Sequence, residues 1–294
     1  MRIAAVVVTY NRLQFLQKVI LSLKKQSVTV SDIIVVNNGS TDGTADWLKV
    51  QKELVVINQE NVGGSGGFYA GIEYAHRRGY DYFWCMDDDV YPRPDCLERL
   101  VNAMTDEVGI TCPKRIQGDH LFITESITLN LTNPWKRLFC NKLYAKHVHN
   151  KPISIEGMVF EGPLIKMAVV NDIGYPNKDL FLFFDDFDYS YRAVLSGFKV
   201  LYVPKACLDK ESFFNTLSRR DIFRKNRWKQ EYRIRNYAYF NNYYGKGCII
   251  KKLRPFLYVL YRYMEHVIYT GEFKAFDSYY RAYQKGIDGV LGKI

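Results

Sequence analysis

Within its first hundred residues the chain alternates four times between a strand signal and a helix signal. "IAAVVVTY" is a continuous, β-branched run suited to a strand buried on both faces. It gives way to "RLQFLQKVILSLKKQS", where Leu13, Leu16, Val19, Ile20 and Leu23 recur at helical spacing. "DIIVVNNGSTDGT" is a second strand running into a turn, with Ser40, Thr41 or Asp42 available to cap the helix "TADWLKVQ". "LVVIN" is a third strand, and "QENVGGSGGF" reads as a glycine-rich loop before the helix "YAGIEYAHRRG". "YDYFWCM" is a fourth strand, closed by Asp87, Asp88 and Asp89. Repeated units of this kind predict a mostly parallel α/β sheet with right-handed crossovers and flanking helices.

From about residue 108 to 175, short apolar runs such as "VGITCPKRI" and "HLFITESITLNL" predict added strands, some antiparallel. "LFLFFDDFDYSYRAVLSGFKVLYVP" then reads as a loop, a helix and a strand. From Glu211 the composition turns to Arg, Lys, Tyr, Phe and Asn, with two amphipathic helices, "RWKQEYRIRNYAYFNNYY" and "LRPFLYVLYRYMEHVIY". The expected division is a sheet domain over residues 1–210 and a basic helical region over 211–294. Charge divides in the same way. From Leu201 onward there are 19 Lys and Arg against 8 Asp and Glu, whereas the preceding 200 residues carry 22 against 23. The net charge of +10 is therefore local, and it predicts a local anionic partner, phosphate or a membrane surface.

The six cysteines show no CxxC and no His at ligand spacing, which argues against a zinc site or a disulfide framework. The apolar start, about seven residues long, lacks a signal peptide's pattern. No later segment reaches the roughly 18 uncharged apolar residues of a membrane span. The expectation is a cytoplasmic chain, soluble or peripherally bound.

Ligands of open α/β sheets bind beyond the carboxyl ends of the strands. Four polar clusters lie at such ends: Thr9 to Arg12, Asn37 to Ser40, Asn61 to Gly67, and Asp87 to Asp89. Each alone has an ordinary explanation in turn chemistry or a solvated acidic loop; together they converge on one edge. Mg²⁺ and Mn²⁺ prefer hard oxygen ligands and bridge carboxylates to phosphates. Asp87 and Asp89 would share a side if the strand continued, with Asp88 opposite. A second acidic group, Asp185, Asp186 and Asp188, offers either favourable charges at a helix N-terminus or a general base.

In "VVVTYNR", "VVNNGSTDGT", "MDDDVYP" and "LFLFFDDFDYSYR", in that order, residues 1 to 205 resemble the inverting glycosyltransferases of family 2, with the Rossmann-like GT-A fold. Within that family "NVGGSGGF" looks most like bacterial galactofuranosyltransferases and some rhamnosyltransferases. The resemblance implies that Thr9, Tyr10 and Arg12 line the nucleotide pocket and that Asn38 faces base or ribose. It implies that Asn61 and the glycines after it, Gly64 among them, admit the diphosphate or sugar. Asp87 and Asp89 would hold Mn²⁺ or Mg²⁺, with Asp87 and Asp88 also near the nucleotide sugar, and Asp186 would be the catalytic base. Arg192 reads as a structural partner of the acidic loop. Relatives carry a His as third metal ligand where this chain has Asp209 or Lys210.

The activity implied is transfer of a sugar, galactofuranose from UDP-galactofuranose first and rhamnose from dTDP-rhamnose second, to a hydroxyl of a glycan or lipid-linked glycan in bacterial surface-polysaccharide synthesis. A non-catalytic sugar-nucleotide-binding protein and a nucleotidyltransferase are the rivals. A nucleic-acid binder leaves the acidic clusters unexplained. The residues Arg219, Arg220, Arg224, Lys225, Arg227, Lys229, Arg233 and Arg235, interleaved with Phe223, Trp228, Tyr232 and Tyr237, suggest docking on the anionic inner face of the cytoplasmic membrane. A solvated basic face or a homo-oligomer contact is the alternative.

Overall fold

A computed structural model of the chain describes residues 1–212 and 217–294. It divides into two compact units. The first comprises Met1–Thr128, Asn141–Lys178 and Asp186–Glu211; the second comprises Leu129–Cys140, Asp179–Asp185 and Ser212–Ile294. The helical unit thus claims two segments that the sequence assigned to the sheet domain. Neither segment carries a compositional mark that would separate it from its neighbours.

The first unit opens with β1 (Ile3–Thr9), α1 (Leu13–Lys24), β2 (Asp32–Asn37), α2 (Thr44–Lys49), β3 (Leu54–Asn58), α3 (Gly63–Arg77) and β4 (Tyr82–Asp87). There follow β5 (Val90–Pro92), α4 (Cys96–Asn102), β6 (Val108–Gln117), β7 (His120–Phe122), β8 (Ser126–Thr128), β9 (Asn141–Lys142) and β10 (Ile153–Ser154). β11 (Leu164–Lys166), α5 (Met167–Ile173), α6 (Asp185–Leu195) and β12 (Lys199–Lys210) complete it. The main sheet runs β10-β12-β6-β11-β4-β1-β2-β3. β3, β2, β1 and β4 are mutually parallel, and the antiparallel β11 joins them to the parallel pair β6 and β12.

All seven residues of β1 are buried, as its β-branched run requires. Alternate residues serve the two faces: Val6 and Val8 pack with Phe68 and Ile72 of α3, and Ala5 and Val7 pack with Leu16 and Val19 of α1. α3 lies close on the sheet because it presents glycines there. A Cβ on Gly67 would fall 2.5 Å from Val8 Cγ1, and one on Gly71 would fall 2.3 Å from Val6 Cγ1. The stretch expected to be a glycine-rich loop is therefore the first turns of a helix, with Gly67 placed by packing on the sheet.

The second unit carries α7 (Arg219–Lys225), α8 (Lys229–Tyr244), α9 (Arg254–Thr270) and α10 (Phe276–Ile287). α8 is buried on most of its circumference, Tyr232, Arg235 and Tyr237 included. α10 approaches it through Gly286, where a Cβ would meet Arg235 O at 2.2 Å. Phe181, Phe183 and Phe184 hold left-handed backbone, at φ 63°, 68° and 69°. That conformation is costly for bulky residues. It is held by Asn236, whose Nδ2 donates to the carbonyls of Leu180, Leu182 and Phe183 at 2.8–3.0 Å.

Candidate active site

The parallel strands end level with one another: Thr9 pairs with Asn37, and Val8 with Asp87. Their loops are tied together. Asn11, at φ 54°, accepts from Thr41 N at 2.6 Å, and its own N–H donates to Ser40 Oγ at 3.0 Å. Asn is among the few residues that take up this backbone conformation readily. Thr9 is buried, and its Oγ1 donates to Asp88 Oδ2 at 2.8 Å. Arg12 Nη1 donates to Asp88 Oδ1 at 3.0 Å and to Asp89 Oδ2 at 3.3 Å. One guanidinium nitrogen therefore clamps both carboxylates, which face a common side. The expected alternation of the three aspartates fails because β4 ends at Asp87 and the chain turns before β5. Tyr10 lies at the surface beside this clamp, 46% exposed.

A second cation enters from β12. Lys210 stands opposite Val90 in the β12–β5 pairing, next to Asp89. Its Nζ donates to Asp89 Oδ1 at 3.2 Å and to Glu161 Oε1 at 3.0 Å. Glu161 also takes Arg115 Nη1 at 2.5 Å, and Arg115 reaches Glu125 Oε1 at 2.7 Å. Burial opposes charge at Lys210, but Glu161, Asp89 and Asp87 outweigh it and raise the ammonium above its ordinary value. Glu161 is held below the usual carboxylate range: burial works against its charge, and Arg115 and Lys210 prevail. Asp87 is pushed well above that range, by burial first and then by Asp89 and Glu161. Of the two residues expected where relatives carry His, Lys210 faces this network. Asp209 points elsewhere, its carboxylate bound by Arg93 Nη2 at 2.8 Å.

Asn38 is placed differently from expectation. It is buried, and its Nδ2 donates to Gly63 O at 3.0 Å while its Oδ1 accepts from Gln59 Nε2 at 2.9 Å. Its amide pins the end of β2 to the start of α3 instead of facing outward. Asn61 Oδ1 accepts from Gly63 N at 3.0 Å, an Asx turn that leads into α3. A Cβ on Gly64 would meet nothing within 4 Å, unlike one on Gly66 or Gly67, so this glycine opens onto free space.

Asp186 occupies the first turn of α6, with its Oδ1 accepting from Phe187 N at 2.7 Å. The strained phenylalanines immediately precede it in sequence, a feature that concentrates at functional sites. One stretch links α6 to the charge network. Gly157 packs on the Phe187 ring, Met158 N donates to Ser190 Oγ at 3.2 Å, and Phe160 meets Tyr189 at 5.8 Å between centroids. Glu161, the partner of Lys210, comes next. Arg192 pairs with Asp188 at 2.9 Å and donates to the carbonyls of Ile173 and Tyr175. It serves the fold around the acidic turn.

The donor set as arranged does not fit a metal ion shared by Asp87 and Asp89. Arg12 holds one oxygen of Asp89 and Lys210 the other. Among the described residues no group of three His, Cys, Asp or Glu side chains is placed to hold an ion.

Sequence reasoning missed Glu161, Arg115 and Glu125. The available signal was a charge set in a largely apolar run, Glu161 in "MVFEGPLI" and Arg115, next to Lys114, in "ITCPKRI", since a buried charge must be paired.

The chain matches the family model described as Glycosyl transferase family 2 over residues 4–159. It is 32% identical over 123 residues to an undecaprenyl-phosphate mannosyltransferase of Micrococcus luteus, covering 40% of this chain and 50% of that protein. It is 24% identical over 204 residues to a poly-beta-1,6-N-acetyl-D-glucosamine synthase of Staphylococcus aureus, covering 67% and 47%. The chain spans about half the length of these curated relatives. Among solved structures, S. aureus TarS in complex with UDP superposes with a TM-score of 0.58 at 14% identity, covering 99% of this chain and 83% of that one. GalNAc-T7 with UDP, GalNAc and Mn²⁺ superposes with a TM-score of 0.59 at 16% identity, covering 93% and 58%. At these identities the likeness establishes a common fold, the α/β architecture expected from the sequence.

Proposed function

Because this chain belongs to glycosyl transferase family 2, we propose that it transfers a sugar from a nucleotide-sugar donor to an acceptor hydroxyl with inversion at the anomeric carbon. The carrying observation is the rim at the strand ends, where Arg12 and Lys210 stand beside Asp87, Asp88 and Asp89. Arg12 and Lys210 would receive the negative charge that develops on the departing diphosphate. Both cations are held in position before reaction, which is how electrostatic stabilisation is made effective. Asp186 would take the proton of the acceptor hydroxyl as its oxygen attacks the anomeric carbon. The glycosidic bond forms as the bond to the diphosphate breaks, and a single displacement inverts the centre.

Thr9, Asn38 and Asn61 act as positioning residues in this reading, while Tyr10 and Gly64 face the space a donor would occupy. Of the glycines in the run that suggested galactofuranose, Gly67 packs on the sheet and Gly64 opens onto free space. UDP-galactofuranose and dTDP-rhamnose remain the first and second donors to assay, within a panel of UDP- and dTDP-sugars. Acceptors to offer are free and lipid-linked glycans.

A second reading keeps Mn²⁺ or Mg²⁺. It is favoured by Asp87, whose carboxylate lies among like charges that a cation would relieve. In that case Asp87 would hold the ion, and Lys210 would have to release Asp89.

The experiment is transfer by Asp186→Asn, with and without chelator. A lost general base costs about 10²–10⁴-fold in rate, with donor affinity nearly unchanged. Transfer by the variant at the wild-type rate removes Asp186 from the role. Wild-type activity that survives chelation favours the internal cations, and activity abolished by it favours the metal.

A further inference from the structure

α9 is built inside out. Its buried residues include Arg254, Arg262 and His266. Arg254 donates to Asn241 Oδ1 at 2.8 Å, Arg262 to Gln230 Oε1, and His266 Nδ1 meets Tyr279 Oη at 3.0 Å. Its exposed face is apolar. Ile249, Leu253, Leu257, Tyr261, Met264 and Ile268 are between 43% and 70% exposed. They recur at intervals of three and four, so they form one stripe along the helix and the turn before it. At 1.5 Å per residue the stripe is roughly 28 Å long. Single exposed apolar residues need no explanation, but a continuous row does.

The surroundings of the stripe say what fits it. At its start lies an apolar groove of about 350 Å³ between Ile249, Leu253, Phe256 and Tyr283, with Lys252 on its wall. Beyond its far end Phe273 is 70% exposed, and Lys274 beside it is exposed as well. The carboxylate of α9, Glu265, is drawn back onto Arg262 and accepts from Tyr261 Oη at 2.9 Å. The helical unit as a whole carries 19 Lys and Arg against 8 Asp and Glu. A second copy is a poor occupant, because it would oppose two strongly positive units with lysines at both rims. No described helix is long and apolar enough to cross a membrane.

We propose that the α9 stripe seats this unit on an anionic bilayer, its apolar side chains at the headgroup–acyl boundary and Lys252 and Lys274 on lipid phosphates. Tyr261 suits that depth, where an aromatic ring meets a polar edge. Lysines at both ends add attraction to an anionic surface. Of the residues expected from the sequence to dock, Tyr232, Arg235 and Tyr237 of α8 are buried, whereas Arg219, Arg220, Arg224, Lys225, Arg227 and Trp228 are exposed, and the α9 stripe adds an apolar contact to that basic set. The inference concerns the helical unit alone and stands apart from the proposed transfer.

The test is co-sedimentation of the full chain with vesicles of phosphatidylcholine, alone or mixed with phosphatidylglycerol, at low and high salt. The wild type is expected to pellet with the anionic vesicles and to be partly released by salt. A triple variant, Leu257→Ser, Met264→Ser and Ile268→Ser, changes only exposed side chains. It should retain the wild-type melting temperature and partition at least about tenfold more weakly. Lys252→Ala with Lys274→Ala should weaken only the anionic, salt-sensitive component. The proposal is overturned if the wild type ignores anionic vesicles or if the folded triple variant binds as the wild type does. It is equally overturned by a dimer in sedimentation velocity that the triple variant dissolves, which gives the stripe to a second copy.

Discussion

Arg115 in the sheet unit and Arg235 in the helical unit are each 1% exposed, but their environments are opposite. Arg115 meets Glu125 and Glu161, whose charges outweigh burial and hold the guanidinium above its ordinary value. The side-chain hydrogen bonds of Arg235 go to neutral oxygens, Leu180 O and Asn236 Oδ1 among them, and burial lowers its pKa to about 10. Arg254 follows the same pattern and is likewise lowered by burial. The sheet unit therefore closes its buried charges in pairs and leaves chosen cations at the strand ends. The helical unit keeps positive charge inside and turns apolar side chains outward on α9. The first arrangement is the one the proposed transfer would use at the rim, and the second is the one proposed to meet an anionic bilayer.

Arg115→Met gives the largest expected break in this comparison. It leaves Glu125 buried without its cation and Glu161 with Lys210 alone, at a cost of about 3–5 kcal/mol. Arg235→Met strands only neutral acceptors, for which about 1–3 kcal/mol is expected. Urea unfolding of the two variants measures the difference directly. Equal losses would mean that the carboxylates around Arg115 contribute no more than neutral oxygens do.

The same contrast marks how far the sequence could be read. β1 to β4 were legible because β-branched runs alternate with apolar residues at helical spacing. Thr9, Arg12 and Asp88 meet because parallel strands bring their ends to one edge. Glu161 and Lys210 are 49 residues apart and joined through strand pairing that no local pattern announces. The helix at α9 was also legible, but not its orientation. Periodicity shows that a helix has two unlike faces. Which face turns inward depends on whether Arg254, Arg262 and His266 find partners on α8 and α10, and that is a tertiary fact.

A smaller effect separates packing from ligand approach within one glycine run. Gly67→Ala drives a Cβ into Val8 and should cost about 1–3 kcal/mol. Gly64→Ala meets open space on a helix and should leave the fold unchanged or about 0.4–1 kcal/mol more stable. If Gly64 faces the donor, its alanine variant raises the donor KM without lowering the melting temperature. An unchanged KM assigns Gly64 to the helix alone.

The smallest effect distinguishes the units by acid. His266 is fully buried, between Tyr279 Oη at 3.0 Å and Glu272 at 3.8 Å, with Arg227 nearby. Burial first, then Arg227, lowers its pKa from the ordinary 6.5. Its contribution is therefore complete above that pH. Below it the unfolded chain takes up a proton that the fold resists, and stability falls as pH drops toward the folded value. In the sheet unit, Glu161 has a lowered carboxylate pKa, so its contribution persists down to its ordinary value of 4.5 before acid erodes it. Asp87, raised, gains stability on acidification and works in the same direction. Hydrogen exchange between pH 7 and pH 5 should show α9 and α10 losing protection before β1 and β4 (the window is set by those two ordinary values). His266→Gln should flatten that response in the helical unit. Earlier loss in the sheet strands would mean that the carboxylate network, not the buried histidine, is the more acid-sensitive element.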